Sequence, residues 1–388
     1  MTPQDTLAAA RGRLPAALAL LEALVNLDTG SHALDALAAA GQWLETQLEA
    51  LGLQARRLEF PDAGPIVVGT RAGAGRARLL FLAHYDTVFD SAEVRRRPFR
   101  SDGQRAYGPG VADMKGGVVT LWEALRLLGA SGWDDYASLT VLHNADEEIG
   151  SPRSRAVIEE EARRTDLCFV LEPGRPDGSV VTARKGVGRY TLTVHGRAAH
   201  AGAYPQDGAS ALVALAHKIV ELHALNDYAR GLTVNVVVTE GGTRANVVPE
   251  VARAEIDVRV PAMAQVATLE ARLREIAARE HLPRTHAVLE GGVNRPPMEP
   301  SPRSQALLAL AQASAQALGF ALPAASTGGG SDGNFVAALG VPVLDGLGAV
   351  GGGFHSAEEY LEVASLPQRA VLLALVVPEA CRRPEIIG

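Results

Sequence analysis

The sequence predicts an α/β fold in which a mostly parallel sheet with flanking helices is interrupted by a second, α+β domain. Apolar runs alternate with helical patterns from about residue 78 to residue 172, and the same style resumes after about residue 300. The stretch in between is instead rich in strands of period-2 character. The chain of 388 residues also exceeds the usual single core of about 250–300 residues, so two domains are expected.

Strands and helices alternate in the first and last parts of the chain. The N-terminal segment carries leucine and alanine residues at helical spacing, which predicts a pair of amphipathic helices. The elements that follow are predicted, in chain order, as strand 78–83, helix 116–128, strand 138–143, helix 151–163, strand 167–171, helix 304–318, strand 341–344 and a helix from Leu366. Because parallel strands need crossover connections, this order implies a largely parallel sheet.

The middle of the chain has a different pattern, in which strands of period-2 character are separated by two helical stretches. The predicted elements are strand 188–194, helix 209–225, strand 233–239, strand 251–260 and helix 264–280. This mixture indicates an inserted α+β domain over residues 186–294. Residues 1–185 and 295–388 would then form the other domain together.

Charge and cysteine content exclude several functions. The net charge of -7 argues against a nucleic-acid or anionic-membrane binder, because both need a basic surface. Cys168 and Cys381 are the only cysteines, too few for a thiolate zinc cage, so any metal must be held by histidines and carboxylates. No apolar run reaches the roughly 18 residues of a membrane span, and no signal peptide is recognised. A cytoplasmic location is expected, or a periplasmic one if a leader was removed.

Acids and histidines concentrate at the ends of the predicted strands. Ligands of open α/β sheets bind just beyond the carboxyl ends of the strands, so these segments are expected to converge in one crevice. The five segments are HYDT at 84–87, GPGVAD at 108–113, DEE at 146–148, LEP at 171–173 and FHS at 354–356.

Convergence would crowd the acids of these segments into one poorly solvated pocket, where like charges repel strongly. Divalent cations remove that repulsion, and a set of imidazoles and carboxylates without a thiolate suits catalytic zinc. Asp86 lies two residues after His84, so it can orient a metal-binding imidazole through a hydrogen bond. The adjacent Glu147 and Glu148 point in different directions, so that one can bind metal while the other accepts a proton from water.

Each segment alone has a simpler interpretation. An HxD pair is most often part of an ordinary turn, and an acidic run before a helix is usually an N-terminal cap. A different mechanism is also open, because residues 329–333 fit the G-x-S-x-G motif of a nucleophilic Ser331, followed by Asp345 and His355. That motif needs a clear preceding strand, which residues 322–326 do not provide, and it leaves the acids unused. A non-catalytic binding module would require loss of a ligand or base, and none is missing.

The ordered combination of motifs resembles the co-catalytic di-zinc metallopeptidases, which include glutamate carboxypeptidases, aminoacylases, acetylornithine deacetylases and succinyl-diaminopimelate desuccinylases. The resemblance extends from about residue 15 to the C-terminus and is nearest to the bacterial glutamate carboxypeptidase branch. Its densest matches are HYDTV (84–88), YGPGVADMKGG (107–117), DEEIGS (146–151), LEP (171–173), GRAAHAG (196–202), NVVP (246–249), DVR (257–259), TGGGSDG (327–333) and FHS (354–356).

The resemblance implies two zinc ions, with cobalt or manganese as replacements, in a zinc aminopeptidase-like catalytic domain. The ligands that it assigns are His84 and Glu172 on one ion, Glu148 and His355 on the other, and Asp113 as the bridge, followed by a cis peptide to Met114. Three further residues receive catalytic roles. Asp86 would orient His84, Glu147 would be the general base, and His200 would reach the developing oxyanion, often from the partner subunit.

The inserted domain corresponds to the lid and dimerisation domain of the family, which implies a homodimer. Arg259 and Asn246 are assigned to the α-carboxylate of the substrate, and Arg295 is a second basic residue of the glutamate branch. Gly330, in the glycine run, would present its backbone N–H to the substrate. The resemblance departs at one point, because glutamate-specific members carry a lysine a few residues after the Glu-Pro pair, where this chain reads GRPDGSV at 174–180.

The implied activity is zinc-dependent hydrolysis of an amide bond adjacent to a C-terminal amino acid with a free α-carboxylate, as in a glutamate carboxypeptidase-type exopeptidase. The substrate would be a small peptide or an N-acyl amino acid. An N-acyl-amino-acid deacylase or a dipeptidase would use the same two-zinc mechanism and is the main alternative. A serine hydrolase using Ser331 is the remote one.

Overall fold

The computed structural model describes residues 2–388, which divide into two compact units. The first unit contains the residues up to Ala183 together with Pro300–Ser326 and Ser331–Gly388. The second unit contains Arg184–Glu299 and Thr327–Gly330. The second unit therefore includes the predicted insertion and, in addition, a short return of the chain at its glycine run.

Helices and strands alternate along the chain. The helices are α1 Pro3–Gly12, α2 Leu14–Val25, α3 Leu34–Ala50, α4 Glu93–Arg96, α5 Gly117–Ala130, α6 Ser154–Ala162, α7 Ala211–His223, α8 Met263–Ala278, α9 Pro302–Leu318, α10 Gly333–Ala338, α11 Ser365–Cys381 and α12 Pro384–Ile387. The strands are β1 Gln54–Leu58, β2 Ile66–Ala72, β3 Arg78–His84, β4 Arg100–Ser101, β5 Arg105–Tyr107, β6 Ser138–Asn144, β7 Leu167–Val170, β8 Val180–Arg184, β9 Gly186–His195, β10 Thr233–Gly241, β11 Val251–Val260, β12 His286–Arg295, β13 Ala324–Thr327, β14 Val343–Leu344, β15 Gly351–Gly352 and β16 Tyr360–Glu362. Within the described residues, no helix has both the length and the apolar character needed to cross a membrane.

The first unit is built on a six-stranded sheet with the strand order β1-β2-β6-β3-β7-β14. β3 pairs in parallel with both β6 and β7, and β14 pairs in parallel with β7. β1 and β2 add to the other edge in antiparallel fashion. Apolar residues of α5, α9 and α11 pack with those of the strands in one core. The predicted α/β class with a mostly parallel sheet is confirmed.

Parallel pairing brings the carboxyl ends of three strands to one edge of this sheet. His84, the last residue of β3, lies opposite Asn144, the last residue of β6, and β7 pairs with β3 from the other side. β3 is buried apart from its first residue, as expected for a central parallel strand. The segments that follow the three strands therefore leave the sheet side by side, where ligands of such sheets bind.

A second, four-stranded sheet of the first unit orders two loops. Its strands pair in the order β15-β16-β5-β4, with Tyr360 of β16 opposite Tyr107 of β5. The loop after β5 leads to Asp113, and the peptide between Asp113 and Met114 is cis, as predicted. The loop between β15 and β16 carries His355. Pairing of β5 with β16 thus joins two parts of the predicted site that are far apart in sequence.

The second unit has a four-stranded antiparallel sheet in the order β10-β11-β9-β12. Residues of α7 and α8 pack with the sheet in an apolar core that includes Leu192, Leu215 and Ile256. β11 alternates between exposed and less exposed residues, which is the period-2 pattern from which it was predicted. The sequence prediction missed β12, because Gly291 and Gly292 interrupt its apolar alternation.

Candidate active site

Two groups of three residues in the first unit bring metal-ligand side chains together. His84, Asp113 and Glu172 form one group, and Asp113, Glu148 and His355 form the other. Within each group, one ligand atom per residue lies within 4.8 Å of the other two. Asp113 belongs to both groups, so the structure brings together all five residues that the resemblance assigns to metal.

The two carboxylate oxygens of Asp113 face different imidazoles. Oδ1 lies 3.3 Å from Nε2 of His84, and Oδ2 lies 3.3 Å from Nε2 of His355. Nε2 of His84 also lies 3.8 Å from a carboxylate oxygen of Glu172, and Nε2 of His355 lies 3.3 Å from one of Glu148. A carboxylate that offers one oxygen to each of two ligand groups can serve both groups at once if each of them holds a cation.

The donor set fits a catalytic divalent cation. Each group supplies one imidazole and two carboxylates without a thiolate, which is the ligand chemistry of zinc in hydrolytic sites. The side chain of His84 is buried, whereas that of His355 is 54% exposed. The second group is therefore open to solvent on the side of His355, and catalytic sites need such an open position for water and substrate.

Electrostatics favour a cation at this place. Hydrogen bonds to Asp113 and Glu148 raise the pKa of His355 to about 10. Burial alone would lower the pKa of His84, but Asp113 and Asp86 hold this pKa well above its ordinary value. Burial also opposes ionisation of Asp113, yet hydrogen bonds from the two imidazoles lower its pKa. Both imidazoles thus lie in a strongly negative potential, which attracts a proton or a metal ion.

Asp86 contacts three parts of the site through one buried carboxylate. An oxygen of this carboxylate lies 3.3 Å from Nδ1 of His84, an arrangement that fits the predicted orienting role. The carboxylate also accepts hydrogen bonds from the backbone N–H groups of Glu147 and Glu148, both at 3.2 Å, and from the hydroxyl of Ser31 at 2.8 Å. Asp86 therefore fixes the turn that carries the predicted base as well as the imidazole.

Glu359 is a buried acid that the sequence prediction missed. Its carboxylate accepts hydrogen bonds from the backbone N–H groups of Gly110, Ala112 and Asp113 at 3.0, 2.9 and 3.0 Å. Gly110 has a φ of 71°, and a Cβ at this position would lie 2.6 Å from Thr87, so the turn requires glycine. Burial raises the pKa of Glu359 to about 7. Glu359 thus fixes the loop that presents the shared carboxylate of the two ligand groups.

The serine-hydrolase alternative is wrong. Ser331 is fully buried, its hydroxyl donates to Asp345 at 2.6 Å, and the same oxygen accepts from the backbone N–H of Gly333 at 3.1 Å. A nucleophilic serine needs a base such as imidazole within hydrogen-bond reach. His355, which this alternative requires as the base, instead lies against the carboxylates of the second ligand group. Ser331 has a structural role.

In the second unit, the structure brings His200 close to Asn246. His200 forms a β-bridge with Val247, the residue after Asn246. The backbone oxygen of Asn246 itself accepts a hydrogen bond from the N–H of Ala201 at 2.9 Å. Nδ1 of the exposed His200 accepts from the N–H groups of Gly202 and Ala203 at 3.2 and 3.0 Å. The proton of the neutral ring then lies on Nε2, where an oxyanion contact needs a donor.

Arg259 and Arg295 share one face of the sheet in the second unit. Both lie opposite Val187 of β9, Arg259 on β11 and Arg295 on β12, and directly opposed residues of neighbouring strands point to the same face. The glycine run lies on this face as well. Nη1 of Arg259 donates to the carbonyl oxygen of Gly328 at 3.2 Å, and a Cβ on Gly330 would lie 2.9 Å from Cδ of Arg295.

The guanidinium group of Arg259 forms a bidentate ion pair with Asp257. Nε and Nη2 donate to the two carboxylate oxygens at 2.9 and 3.0 Å. A substrate carboxylate would have to compete with Asp257 or bind through Nη1. The sequence prediction missed this pair, although two residues at i and i+2 of a strand lie on the same face.

Comparison with known proteins identifies the family. Residues 80–379 match the family model described as Peptidase family M20/M25/M40. The chain is 34% identical to carboxypeptidase G2 of Pseudomonas sp. over 374 residues, which cover 95% of this chain and 90% of that protein. It is also 30% identical to a succinyl-diaminopimelate desuccinylase of Caulobacter sp., over 83% of this chain and 86% of that protein.

A solved structure shares the fold at lower sequence identity. Aminopeptidase PepT from Bacillus cereus has a TM-score of 0.78 and 21% identity, covering 95% of this chain and 99% of that chain. The resemblance and the hydrolase class predicted from the motifs are confirmed. The chain therefore belongs to peptidase family M20/M25/M40, a family of metal-dependent hydrolases.

Proposed function

We propose that this chain is a two-zinc carboxypeptidase that hydrolyses the amide bond adjacent to a C-terminal amino acid with a free α-carboxylate. The observation that carries the proposal is the pair of ligand groups that share Asp113. The similarity to carboxypeptidase G2 over nearly the whole chain supports the choice among hydrolases of the family. Glutamate is the first C-terminal residue to test, because the motifs are nearest to the glutamate carboxypeptidase branch.

The described residues suit the steps of amide hydrolysis. When bound, zinc ions act as Lewis acids that activate water and polarise the scissile carbonyl. Glu147, which belongs to neither ligand group in the described chain, takes a proton from the attacking water and later protonates the leaving amine. His200 donates its Nε2–H to the developing oxyanion. Asp86 holds His84 and the Glu147 turn in place throughout.

The α-carboxylate of the substrate is assigned to residues of the second unit. Arg259 supplies a planar guanidinium group, which suits a carboxylate better than a point charge does. Asn246, Arg295 and the backbone N–H of Gly330 are further contacts. Because Asp257 already pairs with Nε and Nη2 of Arg259, the substrate carboxylate competes with Asp257 for these donors or binds through Nη1.

Metal removal tests the proposal. Release of glutamate from N-benzoyl-L-glutamate should fall to background in excess chelator and return when Zn²⁺ is added. The matched control is N-benzoyl-L-glutamic acid α-amide, which keeps the side chain but lacks the α-carboxylate, and it should be a poor substrate. Full activity in chelator would refute the metal mechanism. Equal turnover of the amide would refute the carboxypeptidase assignment.

A deacylase of N-acyl amino acids is the second candidate, since the chain is also similar to a desuccinylase. A dipeptidase would share the same site. Two substrate series separate these activities: one keeps the acyl group and varies the C-terminal residue, and the other does the reverse. A carboxypeptidase of the glutamate type discriminates mainly in the first series, whereas a deacylase discriminates mainly in the second.

Replacing Arg259 by alanine should raise KM for substrates with an α-carboxylate by about 10–100-fold, because a hydrogen-bonded charge contributes roughly 1.5–3 kcal/mol. The α-amide should be affected far less. Arg253→Ala is the control, since Arg253 lies on the same strand and pairs with Glu255 in the same i, i+2 arrangement. If both variants have the same kinetics, Arg259 does not contact the substrate.

We also propose that the second unit forms a homodimer. β10 is an edge strand of its sheet, and Val237 and Val238 on this strand are exposed. α7 packs against β10 and exposes Val213 and Val220. Edge strands with apolar side chains pair readily with another strand, and a continuous apolar patch usually marks an interface. A second copy of this chain would cover both elements at once.

Val238→Lys should convert the dimer to a monomer, because a lysine on an edge strand blocks strand pairing. Sedimentation velocity measures the change. Val288→Lys is the control, since Val288 is equally exposed (45% against 44%) but lies on β12 at the other edge of the sheet. A wild-type protein that sediments as a monomer, or a Val238 variant that stays dimeric, would contradict the proposed interface.

A further inference from the structure

A network of buried polar side chains contacts the segment that carries Glu147 and Glu148. Its members are at most 3% exposed: Asn144, Asp146, Ser151, Ser154 and Asp332. The first four belong to β6 and the segment that leads into α6, whereas the fifth lies just before α10, 188 residues after Asn144. All five are in the first unit. The network therefore joins the predicted catalytic turn to a part of the chain that is distant in sequence.

The carboxylate of Asp332 accepts one hydrogen bond from each end of this segment. Oδ2 accepts from the side-chain amide of Asn144 at 2.7 Å, and Oδ1 accepts from the hydroxyl of Ser151 at 2.5 Å. Asn144 is the last residue of β6, and the amide of Asn144 also donates to the hydroxyl of Ser154 at 3.1 Å. Because residues 145–150 lie between the two contacts, Asp332 fixes both ends of the turn.

The turn closes at Ser151, whose backbone N–H donates to the carbonyl oxygen of Asp146 at 2.7 Å. The φ of Ser151 is 57°, in the left-handed region that residues other than glycine rarely adopt, so the surrounding contacts must hold this conformation. Asp86 accepts from the backbone N–H groups of residues 147–148. The turn is thus held by two buried carboxylates, that of Asp86 at its start and that of Asp332 at its end.

The segment that presents Asp332 is itself firmly attached to the main sheet. The hydroxyl of Ser331 donates to Asp345 at 2.6 Å, and the N–H of Ser331 donates to the side-chain oxygen of Asn334 at 3.0 Å. Asp345 directly follows β14, which pairs with β7. Asp332 therefore has a fixed position relative to the strands from which the ligand groups extend, as a support for precise placement must have.

We propose that Asp332 is a positioning residue for the general base, which acts through Ser151 and Asn144 to keep Glu147 where it accepts the proton of the attacking water. The inference rests on the proposed function, which assigns the role of base to Glu147. A displacement of about 1 Å at a reacting group can cost about 100-fold in rate. Loss of the two contacts of Asp332 should therefore reduce catalysis in a protein that is folded and loaded with metal.

The test measures hydrolysis of N-benzoyl-L-glutamate by Asp332→Ala at saturating zinc and well below the unfolding temperature. We expect kcat to fall by about 10–100-fold. KM should change little, because the α-carboxylate of the substrate is assigned to other residues. Asp332→Asn should restore most of the lost kcat, since an amide can accept from Asn144 through its oxygen and donate to the hydroxyl oxygen of Ser151.

Glu123→Ala is the matched control, because Glu123 is a buried acid of α5 that accepts two hydrogen bonds from Arg13, at 2.7 and 3.1 Å. This variant should lose thermal stability and keep the wild-type kcat. If the kcat of Asp332→Ala equals that of the Glu123 variant, the role of Asp332 is structural only. That result, or an Asp332→Asn variant as slow as Asp332→Ala, would overturn the inference and leave the proposed function intact.

Ser151→Ala keeps the inference testable even if Asp332→Ala does not fold, because it removes only one of the two contacts. Its kcat should fall by a smaller factor, and the double variant should be no slower than Asp332→Ala alone, since both changes remove the same contact. A wild-type kcat in Ser151→Ala would contradict the inference. If the zinc-loaded wild-type protein does not hydrolyse N-benzoyl-L-glutamate, the proposed function fails and the inference fails with it.

Discussion

Glu147→Gln should lower kcat by about 10²–10⁴-fold, because a general base contributes about that factor. Glutamine has nearly the shape of glutamate but cannot accept a proton from water at neutral pH. Asp86 holds the backbone of this turn through the N–H of residue 147, a contact that does not depend on the side chain. The variant should therefore keep its fold and its metal content while losing turnover.

The measurement combines steady-state kinetics with metal analysis of the dialysed protein. Glu148→Gln is the matched control, because Glu148 is the neighbouring residue on the same turn but belongs to a ligand group. This second variant should lose both activity and bound metal. If the Glu147 variant retains a tenth of the wild-type rate, Glu147 is not the base. If it loses metal as the Glu148 variant does, its role is that of a ligand.

Glu359→Ala should weaken zinc binding by about 10–100-fold, the range found when partners of metal ligands are removed. The carboxylate of Glu359 accepts from three N–H groups, of which two are buried and one is partly buried, and each buried group left unsatisfied costs roughly 1–3 kcal/mol. The loop that ends at Asp113 would then rearrange to find other acceptors. Because Asp113 offers one oxygen to each ligand group, both groups should be affected together.

Zinc competition with a fluorescent chelator measures the affinity, and thermal unfolding of the metal-free protein measures the stability. Glu362→Ala is the control, because Glu362 lies three residues further on and forms a partly exposed ion pair with Arg105. Such a pair contributes little, so this variant should match the wild type in both measurements. Glu359→Gln should restore part of the affinity, since an amide keeps one acceptor oxygen. Equal zinc affinities of the two alanine variants would remove Glu359 from the support of the site.

Three of the five ligand-group residues could be predicted from the sequence because each ends or closely follows an apolar run that forms a strand of the main sheet. His84 ends β3, and Glu148 and Glu172 come a few residues after β6 and β7. The rule that such sheets bind ligands at the carboxyl ends of their strands then placed them in one crevice. Asp113 and His355 follow short strands of the smaller sheet, and the resemblance, not the strand rule, gave each of them its role among the five.

The acidic run 146–148 fits both interpretations given to it from the sequence, because one of its acids caps a helix and the other two are available for metal binding and catalysis. Asp146 accepts hydrogen bonds from the N–H groups of Arg153 and Ser154 at 2.7 and 3.1 Å, so it caps the start of α6. The helix accordingly begins at Ser154 and not at residue 151, where φ is 57°. Glu147 and Glu148 remain for the proposed chemistry. A sequence pattern cannot separate these roles, because the cap depends on which N–H groups the turn leaves within reach.

Glu359 could not be predicted, because its partners lie up to 249 residues away in the chain. In the sequence it is one of two adjacent glutamates in a polar stretch, which is typical of a solvated surface. β1 and β2 are among the strands that were not predicted, each for a local reason. β1 is an edge strand with two arginines and little burial, and β2 contains Gly69, where a Cβ would lie 3.0 Å from Leu48.

The first unit is formed by separate segments of the chain, and this has a consequence for folding. β7 is synthesised well before β14, its parallel partner, and until β14 appears one edge of the main sheet has no strand to pair with. Arg184–Glu299 lies between these segments and has an apolar core of its own, so it can fold while the first unit is still incomplete. The β7 edge stays exposed to other nascent chains until the C-terminal segment, Ser331–Gly388, has packed against it. The same segment carries His355, so the nascent chain completes its main sheet and its second ligand group in one late step.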